Sequence, residues 1–170
     1  LHNYHDEYDS FPPAYVADQD GKPMHSWRVL ILPFMDRADL YNQYRMQESW
    51  DSPHNSKLAE QIPRAYQCPT FDKYHDHPEL ASPKEYMTNY AAIVHPNGIF
   101  QGTTPSRLDD VVDGTSNTVL VFEVSLHSVH WMEPKDVSLS QLELDLKWEA
   151  THTSGLHAAI ADGSVRFIDS

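Results

Sequence analysis

Eleven histidines against a single cysteine, Cys68, raise the question of a metal first. Zinc takes three or four nitrogen, oxygen or sulfur ligands at about 2.0–2.3 Å. The local pairs are His75/His77, His127/His130 and His152/His157, the last followed by Asp162. A hairpin turning through Asp162-Gly163 would hold His152, His157 and Asp162 near one another, so these three form the metal-ligand set that the spacing favours. Zinc or calcium is then the only cofactor that the residues suggest. No His-Glu-x-x-His motif accompanies them, and histidines on the surface or in the core account for each pair more simply. A second oxygen-rich stretch, 108–117, carries Asp109, Asp110, Asp113, Ser116 and Asn117 around Gly114. It lacks the alternating acids and closing Glu of a calcium loop. A turn in which Asp113, Ser116 and Asn117 bond the backbone explains it better.

Nucleophilic chemistry finds less support. There is no Gly-x-Ser-x-Gly elbow and no Ser-x-x-Lys motif. Cys68 has no histidine at a recognisable local spacing, and its Tyr66-Gln67-Cys68-Pro69 setting reads as a buried thiol. One cysteine also excludes an intrachain disulfide and a thiolate zinc cage. Glu123, inside the apolar run Val119–Val124, is expected to be buried with a raised pKa and to pair with Arg28 or Arg166. Trp27, Trp50, Trp131 and Trp148 could stack on a sugar, but core and interface positions suit them better. No catalytic residue is assigned.

The elements that must position these groups follow from the periodicity. Residues 1–8 read as the end of a helix, with Leu1, Tyr4, His5 and Tyr8 on one side, stopped by Pro12-Pro13. Residues 16–23 form an acidic, turn-rich loop. Ser26 is placed to cap a helical stretch bearing Trp27, Leu30, Ile31, Phe34, Ala38, Tyr41 and Tyr44. Pro33 should kink that stretch or break it into two short helices, the second capped by Asp36. A short helix over Ser56–Ile62 ends at Pro63. Strands are expected at Ala65–Cys68, Asn89–Val94 and Thr118–Val124, and a helix at Lys135–Leu146. The Asp162-Gly163 pair, between Ala158–Ala161 and Ser164–Ile168, predicts a β-hairpin with a two-residue turn. Helices first and strands later make an α+β class, with helices packed on one face of an antiparallel sheet.

The composition sets the partners. The 170 residues hold 12 Lys+Arg against 25 Asp+Glu, a formal charge of −13. Such a surface is repelled by phosphate backbones and anionic membranes, which excludes nucleic acid as the natural partner. Apolar runs such as Val29–Phe34 fall far short of the roughly 20 residues that span a bilayer. The length suits one domain, 1–170.

Several blocks then line up in order. They are Leu1-His2-Asn3-Tyr4-His5-Asp6 with Ser10-Phe11-Pro12-Pro13, Ser26-Trp27-Arg28 through Phe34, Leu40-Tyr41-Asn42-Gln43 and Trp50-Asp51-Ser52-Pro53-His54-Asn55. Cys68-Pro69, Thr88-Asn89-Tyr90-Ala91, Asp113-Gly114-Thr115-Ser116-Asn117-Thr118 and Glu123 follow them, and His152 stands nine residues before Asp162-Gly163. Together they resemble the prepilin-like proteins abundant in planctomycete-type bacteria, a family largely uncharacterised. The chain departs from that pattern at Thr153–His157 and over 137–148. The resemblance implies a pilin-like head of a type IV pilin or type II secretion pseudopilin. An apolar helix ahead of Leu1 would be its only link to the membrane. It further implies an extracytoplasmic location, membrane-anchored as a precursor, and contacts with other pilin-like subunits or cell-surface proteins. The alternative is a metal-dependent hydrolase or carbohydrate-binding protein on the same scaffold, since one fold hosts many functions.

Overall fold

Helical segments predominate up to Tyr66 and strands after it, with one early hairpin among the helices, and in the computed structural model every strand pair among the described residues is antiparallel, an α+β fold. Residues 1–69, 86–124, 129–139 and 155–169 are described. Helix α1 (His2–Tyr8) ends at Asp9, whose φ of 55° closes it in the left-handed region. Leu1 and Tyr4 of this first segment lie against the core, and the Leu108 amide donates to His5 Nε2 at 3.2 Å. The acidic loop proves to be the turn of a hairpin, β1 (Tyr15–Ala17) with β2 (Pro23–Ser26). Asp18 Oδ1 shapes that turn by accepting from the amides of Asp20 and Lys22.

Ser26 caps α2 (Trp27–Leu30), its hydroxyl accepting from the Arg28 amide at 3.2 Å. Pro33 then sits in a 3-10 turn, Leu32–Met35, before α3 (Ala38–Gln43). Asp36 does not cap α3, contrary to the expectation. Its φ of 55° makes it the end of the 3-10 turn, whereas an N-cap needs an extended backbone. The segment Asn55–Gln61 is a 3-10 helix ahead of Pro63. Asn55, buried, holds the preceding turn together: it accepts from the Arg45 amide and donates to the carbonyls of Arg45, Glu48 and Ser49.

Two strand expectations change. The run Ala65–Cys68 is no strand; Arg64–Tyr66 forms a 3-10 turn. Tyr66 turns inward to donate its hydroxyl to the Arg28 carbonyl at 2.7 Å, and the Cys68 amide goes to the Asn89 side chain rather than to a neighbouring strand. The stretch Asn89–Val94 is divided. Strand β3 (Met87–Thr88) pairs with β6 (Val129–His130), while β4 (Tyr90–Ala91) pairs with β5 (Val119–Glu123). Thr88 Oγ1, which donates to the Tyr66 carbonyl and accepts from the Tyr90 amide, stands at the division.

The larger sheet runs β4-β5-β7-β8, with β7 Gly155–Ile160 and β8 Val165–Asp169. Its hairpin forms where expected but with a longer turn. Ile160 donates to the Ser164 carbonyl at 2.8 Å and the Gly163 amide to the Ile160 carbonyl at 2.9 Å, leaving three residues in the loop. Gly163 alone in that loop takes a positive φ, 86°, the geometry of a type I turn with a bulge. Asp162 instead accepts from the amide and hydroxyl of Ser164. The helix expected over Lys135–Leu146 does not begin at Lys135. Val137 bridges Ile93, and Asp136 is drawn into the core; 140–146 lie outside the described residues.

That core has two parts. One gathers Phe11, Trp27, Leu32, Leu40, Phe100 and Trp131 beneath the helices; the other lies on one face of the larger sheet with Phe122, Leu156 and Ala158. Arg28 joins the layers. Its guanidinium, fully buried, donates to Asp136 at 2.6 Å, to the Tyr90 carbonyl and to Ser26, and stands 4.6 Å from the Trp27 ring centroid. Asp136 also accepts from the Trp27 indole and the Ala92 amide.

Candidate functional site

Strand alternation assigns each residue of the larger sheet to one of two faces. Ala91, Phe122, Leu156, Ala158 and Ile160 fill the buried face. Their alternates Tyr90, Val121, Glu123, His157, Ala159 and Val165 line the other, where a groove of about 350 Å³ opens with Cys68 and Pro69 at its side. The groove is mainly apolar, but it gathers a thiol, a phenol, a carboxylate and an imidazole from four separate segments.

The polar centre is a pair. Glu123 Oε2 accepts from both the His157 amide and His157 Nδ1, each at 2.8 Å. A carboxylate that accepts from the His157 amide and faces Nδ1 fixes the orientation of the ring. Glu123 is 4% exposed while the His157 side chain is 45% exposed, so the pair runs from interior to surface. Glu123 is therefore buried as expected, but its partner is the strand neighbour His157 rather than either arginine. Arg28 is committed to Asp136, and Arg166 lies 4.0 Å from Asp162. Tyr90 completes the polar end. Burial chiefly, then the charges of Glu123 and Cys68 and a hydrogen bond with Glu123, pushes its hydroxyl up to about 12.

Packing holds the imidazole in place from the other side. The Phe167 ring meets His157 edge-on, centroids 5.2 Å apart, and folds over Gly155. A Cβ at Gly155 would stand 2.7 Å from that ring and collide with the Ile168 carbonyl. Glycine is needed there for space, since its φ is not positive.

Chemically, the pair holds an imidazole in a fixed orientation beside the groove. Among the described residues, no three His, Cys, Asp or Glu side chains gather as a metal ion would require. Of the expected ligand set, His157 lies within β7 bonded to Glu123, and Asp162 lies in the hairpin turn bonded to Ser164. The structure thus seats these two at different levels of the hairpin; His152 lies outside the described residues. So do His75, His77, His127 and Trp148. His130 stacks near Trp50 and Tyr86, and burial lowers its pKa.

Trp27 and Trp131 belong to the core, their indoles donating to Asp136 and to the Ala59 carbonyl, so neither offers a sugar platform. The oxygen-rich stretch behaves as a turn: Asn117 donates to the Asp113 carbonyl and Thr118 to the Gly114 carbonyl. Cys68 is buried, as its setting indicates. What sequence reasoning missed is the convergence of Cys68, Tyr90, Glu123 and His157. The available signal was parity, because Glu123 alternates with Leu120 and Phe122, and His157 with Leu156, Ala158 and Ile160, along their apolar runs.

A family model described as "Protein of unknown function (DUF1559)" matches residues 1–143. No curated protein and no solved structure matches the chain.

Proposed function

The chain belongs to the DUF1559 family of proteins of unknown function, and from that premise we propose that it is a pilin- or pseudopilin-like interaction subunit. In this reading it is displayed outside the cytoplasm, in a type IV pilus or type II secretion assembly of planctomycete type, and marked by the His-x9-Asp-Gly spacing at His152 and Asp162-Gly163. An apolar helix ahead of α1 anchors it, and other pilin-like or cell-surface proteins are its partners. The observation that carries the reading is the groove on the outer sheet face: it is mainly apolar, and its carboxylate is bonded to its imidazole and its phenol. Such a surface suits contact. The blocks shared with the prepilin-like family are spent on building the head. Ser26 and Arg28 serve the buried hub, Asn55 the turn before the 3-10 helix, and Thr88-Asn89 the division between sheets.

The test is the full-length gene product. Expected is a prepilin leader and apolar helix directly before Leu1, membrane fractionation, and a head cleaved by external protease on intact cells. A full-length protein without that helix overturns the reading.

A second reading, the metal-dependent hydrolase or glycan binder on this scaffold, draws on one observation: the imidazole of His157 held by Glu123 beside a cavity. Stoichiometric zinc or calcium in the purified protein, lost in His152→Ala and His157→Ala, supports it. Sub-stoichiometric metal in all three proteins, with tryptophan fluorescence unmoved by a glycan panel, removes it.

A further inference from the structure

Helix α1 lies on the head without burying any of its own residues. Among the described residues, the hydrogen bond that ties it to a distant part of the chain runs from the Leu108 amide to His5 Nε2 at 3.2 Å. A backbone amide only donates. His5 Nε2 therefore presents its lone pair, and the docked ring is neutral. A proton on Nε2 would set donor against donor and lose the bond.

His2, one turn earlier, carries the same constraint in another form. Both rings pack against Phe11, with centroids 5.7 Å away for His2 and 5.0 Å for His5, and Phe11 is fully buried. His2 Nε2 is closed off from solvent, and among the described residues it is the one such side-chain atom without a hydrogen-bond partner. It stands at the C-terminal hairpin, 3.8 Å from the place a Cβ on Gly163 would take. A neutral ring tolerates that position at modest cost, whereas a charged ring with an unpaired N–H there costs far more. Histidine is the side chain that changes charge in mildly acidic water.

The charged groups around the two rings do not offset this. On α1 and its end they are Asp6, Glu7, Asp9 and the amine of Leu1. The turn that supplies the Leu108 amide adds Arg107, Asp109 and Asp110, and the hairpin adds Asp162. Asp9 is held by Arg107 at 2.6 Å, Asp110 by the Arg107 amide at 2.8 Å, and Asp162 by Ser164. Among the described residues, no carboxylate forms an ion pair with His2 or His5.

We propose that α1 is an acid-released latch: it docks against Phe11 and Leu108 only while His2 and His5 are uncharged, and their protonation lifts the helix and uncovers that apolar seat while the rest of the head stays folded. This goes beyond the pilin-like reading and does not rest on it, so either can fail alone.

The experiment is amide exchange on the whole chain at pH 7.5 and 5.5, each rate referred to the unstructured rate at the same pH. Expected is a fall of about tenfold in the protection of residues 5–8 in acid, with circular dichroism still that of the folded chain. In the His2→Phe/His5→Gln double variant the fall should shrink to less than about threefold, because a phenyl ring keeps the packing on Phe11 and the Gln carbonyl can accept from Leu108. That variant retains the Leu1 amine, whose pKa burial lowers, and His25 and His130, so the comparison isolates the two rings of α1. Should the double variant fail to fold, an NMR titration of the wild-type chain decides instead. The Leu108 amide resonance should then move with the midpoint of the His5 imidazole protons. Protection of 5–8 that acid leaves unchanged, an equal fall in the double variant, unfolding of the whole chain at pH 5.5, or a Leu108 amide that ignores the His5 titration overturns the proposal.

Discussion

Arg28 shows how much one side chain can be asked to hold. It is fully buried and joins the N-terminal layer to the sheet through Asp136, Tyr90 and Ser26. Burial alone pushes the Asp136 carboxyl up, against the pull of Arg28 and of the Ala92 and Trp27 donors. Replacing Arg28 by Met strands that carboxyl in the interior without its countercharge. Such a loss costs about 3–5 kcal/mol, so urea denaturation of Arg28→Met should show an unfolding free energy lower by that amount, partly restored by adding Asp136→Leu. A second residue-scale expectation concerns Gly155. Alanine there meets the Phe167 ring and the Ile168 carbonyl, and overpacking of this kind costs about 1–3 kcal/mol. Gly155→Ala should lower the melting temperature and displace the Phe167 ring from its edge-on contact with His157, seen as changed ring-current shifts of the His157 protons. Neither role was legible from the residue types. Arg28 and Asp136 are 108 positions apart, and only the folded chain brings them into reach.

At the scale of elements, local chemistry was the better guide. The Ser26 cap, the break at Pro33, the apolar strand through Val119–Glu123 and the C-terminal hairpin are all present. Each is decided within a few residues, by a hydroxyl near a free amide, a missing N–H or a run of β-branched side chains. The misses are equally instructive. At Ala65–Cys68 the alternation was real, but the partner for its amide was a side chain, Asn89. The hairpin turn differs because Gly163 supplies the positive φ alone, while Asp162 bonds Ser164. Gly163→Ala should therefore destabilise by about 1 kcal/mol, a Cβ being disfavoured at φ 86°. Urea titrations checking this should show a wild-type slope, because the fold is unchanged.

For the molecule as a whole, charge and protonation set the response to conditions. His25 is buried, with Nε2 donating to the Met46 carbonyl and Nδ1 accepting from the Tyr44 hydroxyl. Burial pulls its pKa below the ordinary 6.5, opposed by the Met46 bond. The unfolded chain thus takes up a proton on this residue near 6.5 while the folded chain does not. More protons bind the unfolded state in that window, so stability falls as pH drops below about 6.5. His130, lowered by burial, adds the same sign. Melting temperatures from pH 7.5 to 5.5 should decline, and His25→Gln should flatten the decline. A formal charge of −13 also makes self-association of the chain weakest at low salt and stronger as screening rises, which light scattering across a salt series can follow.

What the sequence determined by itself was the class of fold and the punctuation of its elements, because caps, turns and apolar periods are all properties of neighbours along the chain. The tertiary structure alone decided that Cys68, Tyr90, Glu123 and His157 share one groove and that Glu123 answers to His157 rather than to an arginine. Those relations depend on which strands lie side by side and in what register. A shift of one residue would have sent His157 to the opposite face of the sheet.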